Sequence, residues 1–210
     1  MEISPTADLV SASSIGLVED VVRVMVEAKW HTYKVLTKRA DRLSELLSGR
    51  LRFAASNPHI WWGVSVEDKK YGLPRIDQLR RAPATTRFLS IEPLLEDLGD
   101  IDLSGIHWAI VGGESGPGAR PMAQAWVESI LGICKKNGIT FFFKQWGGVH
   151  KSTNGRILKE RTFDDMPKRT PSPIPSRQER QTQARAWSAK AEKWGQIIAD
   201  PLVSLQIANA

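Results

Sequence analysis

The chain has 210 residues, a mass of 23.4 kDa, a formal net charge of +6 and one cysteine. This length suits one domain with an appendage. No apolar run approaches the roughly 20 residues of a membrane-spanning helix, and the first ten residues lack the basic and apolar stretches of a secretion signal. A single cysteine excludes an internal disulfide framework and fits a reducing compartment. The sequence therefore predicts a cytoplasmic protein without membrane association.

The positive charge is concentrated at the C-terminal end of the chain. Residues 1–150 carry 18 Lys/Arg and 17 Asp/Glu, whereas residues 151–194 carry 11 and 5. The globular part is therefore nearly neutral. Contact with nucleic acid through residues 151–194 is one hypothesis, and a solvated basic helix is the alternative.

Apolar runs of strand length alternate with helical patterns, which is typical of parallel strand–helix units. Apolar residues at helical spacing predict helices near residues 16–29, between Leu43 and a C-cap at Gly49, near 73–82, and from Trp126 to a left-handed cap at Gly138. The predicted strands are residues 33–37, 60–66, 86–91, 107–111 and 139–143, with residues 2–4 as a further strand.

Five or six parallel strands are too few for a closed eight-stranded barrel, which takes about 250 residues. The predicted fold is therefore α/β, with parallel strand–helix repeats that form a partial TIM-like barrel over residues 1–150. Residues 151–169 are predicted to form a loop or hairpin. Residues 170–210 are predicted to form a proline-rich linker and a basic helical extension.

Ligands of parallel α/β folds bind beyond the carboxyl ends of the strands, and each predicted strand here ends in polar residues. Carboxylates and ammonium groups on one rim can shift each other's pKa values and act as acid, base or anion-binding groups. The alternative is that these strand ends are simply solvated. The candidate catalytic residues are Glu67, Glu92, Glu114 and Lys144, and the candidate ligand-binding residues are Lys38, Gly112, Gly113, Ser115, Gln145 and Trp146.

The glycine-rich loop at residues 112–118 would let backbone N–H groups approach an anionic ligand closely. It matches neither the P-loop pattern nor a strict G-x-G-x-x-G, and a tight turn before Pro121 is the alternative. Trp146 lies beside glycines at a strand end, where it could stack on a substrate ring. Cys134 lies on an apolar helix face and is predicted to be a packed thiol. The four histidines show no metal-ligand spacing, so no metal site is predicted.

Six segments occur in unbroken order between residues 3 and 167, namely VLTKRADRL, WWGVSVED, RFLSIEPLL, IVGGESGPGARPM, FFFKQWGG and GRILKERTFDDMP. They resemble the phage gene-product thirty-seven / gene-product sixty-eight family, which has no determined activity and is regarded as radical-SAM-like. The resemblance implies a phage or prophage protein with a radical-SAM-like barrel. It also implies a 4Fe–4S cluster and S-adenosylmethionine as cofactors of the family.

Members of that family normally begin with a segment of clustered cysteines, which this chain lacks. A 4Fe–4S cluster needs several thiolate ligands, so no cluster is expected in this chain. The motif Gly112-Gly113-Glu114 follows a late strand and is not assigned to S-adenosylmethionine. The chain is therefore expected to be N-terminally truncated, and either inactive alone or completed by self-association or a partner chain at an open sheet edge.

Two other functions are consistent with the sequence. The first is a cluster-independent enzyme, or an anion- or nucleotide-binding module, that uses the strand-end rim. The second is a nucleic-acid-associated protein that acts through its basic tail. Whether the chain is an enzyme stays open.

Overall fold

The computed structural model describes residue 10 and residues 15–149 and 154–198, with side chains to residue 190. Its centre is one parallel sheet of five strands in sequential order, β1-β2-β3-β4-β5. The predicted strand at residues 2–4 lies outside the described residues. The strands are β1 (Tyr33–Thr37), β2 (Ile60–Ser65), β3 (Thr86–Ile91), β4 (Trp108–Gly112) and β5 (Thr140–Gln145).

Six helices accompany these strands in the described part of the chain. The predicted helices are present within a few residues of their expected bounds, and Gly138 adopts the left-handed cap conformation with φ of 66°. The short helix α3 was not predicted, because four residues are too few for a periodic apolar pattern. The helices are α1 (Ile15–Glu27), α2 (Ala40–Ser48), α3 (Arg52–Ala55), α4 (Leu73–Arg81), α5 (Gln124–Asn137) and α6 (Arg177–Ile198).

The two faces of the sheet bury different sets of side chains, because successive residues of a strand point to opposite faces. The outer face packs against the helices and forms the main core, which includes Val64, Leu89 and Val111. The inner face carries a separate aromatic cluster. The fold is thus an α/β layer structure, and its inner face is the one that can receive a ligand.

The sheet is open in the described residues, because β1 and β5 do not pair with each other. The β5 edge is covered by residues of the same chain: the N–H of Phe143 donates to the carbonyl of Phe163 (2.9 Å), and the N–H of Trp146 donates to the carbonyl of Gly155 (3.1 Å). At this edge, therefore, the chain itself satisfies part of the backbone hydrogen bonding. The edge predicted to pair with another chain is the opposite one, at residues 2–4 or the neighbouring β1.

The C-terminal segment returns to the body of the protein. The indole N–H of Trp108 donates to the carbonyl of Asp165 (2.9 Å), and that of Trp187 in α6 donates to Glu27 at the end of α1 (3.0 Å). Among the described residues, none of the helices is long and apolar enough to cross a bilayer.

Candidate functional site

The inner face of the sheet forms a cavity of about 640 Å³, which we call the sheet cleft. Its floor is apolar, and its upper part, at the carboxyl ends of the strands, is polar and charged. Because β-strands alternate their side chains, residues two apart on each strand stack in layers from floor to rim. The lining residues are Lys34, Leu36, Lys38, Ser65, Glu67, Phe88, Ser90, Glu92, Trp108, Ile110, Phe142, Lys144 and Met166.

The floor depends on close aromatic packing. The ring of Trp108 meets Trp61 edge-on at 5.6 Å and Phe142 at 6.0 Å between centroids. Phe88 lies over Gly63, where a Cβ atom would sit 2.5 Å from the ring. Glycine at position 63 therefore makes room for the Phe88 ring, so that four strands, β2 to β5, contribute aromatic side chains to one apolar surface.

Glu67 is the most buried of the charged residues at the rim, with a side chain only 8% exposed. Its carboxylate forms two ion pairs, with Lys38 Nζ at 2.6 Å and with the Arg75 guanidinium at 2.8 Å. Arg75 also donates to the carbonyl of Ser65 (2.8 Å), which fixes its guanidinium behind the carboxylate. Two cations therefore offset part of the desolvation of this carboxylate.

Sequence reasoning missed Arg75. It lies in the first turn of α4, the helix that follows β2, and a residue there is close to the carboxyl ends of the strands. That position in a strand–helix unit is the signal that could have identified it.

Glu92 and Lys144 meet across β4, because the residue between them is Gly112. Lys144 Nζ lies 3.0 Å from the Glu92 carboxylate. A Cβ atom at Gly112 would lie 3.2 Å from that carboxyl carbon, so a side chain there would crowd the pair. Gln145 approaches the other oxygen of Glu92 (3.4 Å) and donates to Ser115 Oγ (2.8 Å). Gly112 thus serves the site through its lack of a side chain.

Glu114 lies outside the sheet cleft and has a partner of its own. It accepts hydrogen bonds from the Arg120 guanidinium, at 2.8 Å to each of its oxygens, and from the Arg120 backbone N–H at 2.9 Å. These bonds lower the pKa of Glu114 from 4.5 to about 2. The structure therefore separates Glu114 from Glu67 and Glu92.

Gly113 and Trp146 also lie beside the cleft rather than in its lining. A Cβ atom at Gly113 would lie 2.0 Å from the carbonyl oxygen of Trp146, so the two loops touch through their backbones. The Trp146 ring packs on Phe143 with 4.8 Å between centroids, and its N–H donates to the carbonyl of Ile157 (2.8 Å). Both residues hold the β4 and β5 loops together.

The residues of this chain do not fit an iron–sulfur cluster. Cys134 is fully buried between α5 and the sheet, and burial raises the pKa of its thiol to about 12. A 4Fe–4S cluster takes several thiolates, and the chain has one cysteine. Within the described residues, no group of three or more His, Cys, Asp or Glu side chains is arranged to hold a metal ion.

A second cavity of about 490 Å³ lies near the start of β1 and β2, between Trp30, Trp61 and the segment at residues 166–174. Among the described residues, its lining contains no carboxylate. It therefore lacks the paired charges that distinguish the sheet cleft.

Comparison with known proteins gives one match. Residues 3–167 match the model of a family described as a protein of unknown function, DUF5131. No curated protein matches the chain, and no solved structure does.

Proposed function

The chain belongs to the DUF5131 family, and we propose that it is a ligand-binding domain that holds a small organic molecule in the sheet cleft. One observation carries this proposal: two ion pairs, Lys38–Glu67 and Lys144–Glu92, sit above a continuous apolar floor in one cavity. Cavities of about 300–1,000 Å³ with apolar walls and a few converging polar groups are typical of small-molecule sites.

Electrostatics supports the same assignment. Burying a carboxylate such as Glu67 costs free energy that an ion pair only partly recovers, and a hydrophobic replacement is often more stable. Charged groups at the mouth of a cleft are therefore more simply explained by ligand binding than by stability. Each lysine ammonium has three protons, so Lys38 and Lys144 can each bind a ligand oxygen while keeping the carboxylate partner.

We also propose that the chain is a phage or prophage protein with a partial radical-SAM-like barrel. The six resembling segments support this, as does the sequential parallel order β1 to β5, which is the strand order of a TIM barrel. In this proposal the single cysteine of these 210 residues does not hold a cluster by itself. Anaerobic reconstitution of the chain alone with iron and sulfide is then expected to give no 4Fe–4S absorbance, and a stoichiometric cluster would contradict the proposal.

Binding in the sheet cleft can be tested with a fragment library and ligand-observed NMR. The variant Ile110→Trp places a large ring in the cleft, whereas Ile157→Trp makes the same change at a side chain that is 55% exposed outside it. Fragments that bind the wild-type chain should keep their signal with Ile157→Trp and lose it with Ile110→Trp. If every binding fragment also binds the folded Ile110→Trp variant, the cleft is not the site.

A further inference from the structure

Two serine hydroxyls lie side by side in the sheet cleft, between its floor and its ion pairs. Ser65 on β2 and Ser90 on β3 are register partners, and both residues line the cleft. Each is only 7% exposed. Within the described residues, neither hydroxyl has a hydrogen-bond partner, although both backbone carbonyls do.

Both hydroxyl oxygens are open to the cleft, because neither is a fully buried polar atom. A hydroxyl can donate one hydrogen bond and accept two. Two adjacent hydroxyls without a protein partner, at the same depth of one cleft, can therefore bond to a ligand that enters it.

The charge around the cleft favours an anion. Among the described residues, three cations that lie in the cleft or directly behind it face two carboxylates. Lysine ammonium groups bind phosphate and carboxylate as point charges. These groups are Lys38, Arg75 and Lys144 against Glu67 and Glu92.

The floor favours a ring. Trp108, Phe88 and Phe142 form an aromatic surface beneath the two serines. Aromatic side chains stack on planar rings of many kinds, since every such ring has a π-face. The order from floor to rim is therefore aromatic surface, hydroxyl pair and ammonium groups.

We propose that the ligand of the sheet cleft is a ring-bearing anion, meaning a planar aromatic or heteroaromatic ring that carries a phosphate or carboxylate. The ring stacks on the floor, the Ser65 and Ser90 hydroxyls bond its polar edge, and Lys38 and Lys144 bind the anionic group. This inference rests on the proposed function, because it names the ligand class of the same cleft.

Calorimetric titration of the full chain tests the ligand class. The probes are the four nucleoside 5′-monophosphates, whose anionic group is a phosphate, and 4-hydroxybenzoate, whose anionic group is a carboxylate. The comparators are the four nucleosides, which keep the ring, and inorganic phosphate, which keeps the charge. At least one ring anion should bind at least tenfold more tightly than either comparator. Its affinity should fall as salt rises, because exposed charges are screened.

The hydroxyl pair is tested with a matched pair of double variants. Ser65→Ala with Ser90→Ala should weaken binding of that ring anion about 5-fold for each lost hydrogen bond, or about 25-fold together. Ser48→Ala with Ser188→Ala changes two exposed serines and should leave the affinity unchanged. Equal affinity of both variants would overturn the role of the hydroxyls and show that they bind only water.

The outcomes separate this inference from the proposed function. If no ring anion binds but other fragments lose their signal with Ile110→Trp, the ligand class is wrong and the cleft remains a binding site. If no fragment depends on the cleft, both proposals fail.

Discussion

Replacing Gly63 with alanine tests whether the floor of the sheet cleft is as tightly packed as its geometry indicates. Gly63 lies in the middle of β2, on the inner face of the sheet. A Cβ atom there would lie 2.5 Å from Cε1 and Cζ of Phe88, well inside van der Waals contact. Phe88 is itself buried against Trp108, with ring centroids 5.8 Å apart. The Phe88 ring can therefore yield only by giving up its contact with Trp108 or by moving into the cleft that it lines.

Two opposing effects set the expected magnitude. Inserting a methyl group into a packed core destabilises a protein by about 1–3 kcal/mol. Removing a glycine from a strand interior recovers about 0.5–1 kcal/mol of backbone entropy. Because three atoms of the Phe88 ring lie within 2.6 Å of the Cβ, the packing cost should fall in the upper part of its range. The net loss in the free energy of unfolding should then be about 1–2 kcal/mol, which lowers Tm by about 2–8 °C in a chain of this size.

Urea denaturation followed by circular dichroism measures this change, with Gly132→Ala as the control. Gly132 lies inside α5, and a Cβ atom there would contact nothing within 4 Å, so alanine should stabilise the helix by up to about 1 kcal/mol. Adding Phe88→Leu to Gly63→Ala should give a favourable coupling energy, because the contact is removed. If Gly63→Ala is as stable as the wild-type chain, the packing argument is refuted.

Three further predictions concern single residues. The pKa of Glu114, lowered to about 2 by Arg120, should return towards 4.5 in Arg120→Gln, as NMR titration would show. Because the folded-state pKa is depressed, this pair stabilises the fold above about pH 4.5, and its contribution is lost as pH falls towards 2. Cys134 should react with a thiol reagent at pH 8 only after unfolding, since burial raises its pKa to about 12. Gly113→Ala should lower Tm more than Gly63→Ala, because its Cβ would meet the Trp146 backbone at 2.0 Å; an equal or smaller loss would contradict this.

The element order could be predicted from the sequence because the apolar pattern is strong. The strand at residues 33–37 has the predicted bounds, and Cys134 is packed on the buried face of α5 as predicted, together with Val127 and Ile130. Whether the strands form part of a barrel could not be predicted from the apolar pattern, since barrel closure depends on pairing at the edges of the sheet, here β1 and β5. In the described residues that pairing is not made.

The candidate site was predictable in part, because parallel topology brings all carboxyl strand ends to one side. Lys38, Glu67, Glu92 and Lys144 therefore line one cleft. Which of these side chains form ion pairs with each other was not predictable. The Glu92–Lys144 pair, for example, depends on the small residue Gly112 of the strand between them. The register of β2 with β3, which joins Ser65 to Ser90, is likewise a property of the sheet and not of either segment.

Glu114 lies outside the cleft because the pairing of β4 with β5 is irregular. The register shifts between Val111 and Gly112, so that Gly112 lies opposite Gln145 and Lys144 is the extra residue of a bulge. A bulge bends its strand and re-aims a side chain, and here it lets Lys144 reach Glu92. The same shift brings Gly113 against the Trp146 backbone, and the loop then continues away from the cleft to Arg120. This one register shift between β4 and β5 therefore positions Lys144 beside Glu92 and directs Glu114 away from the cleft.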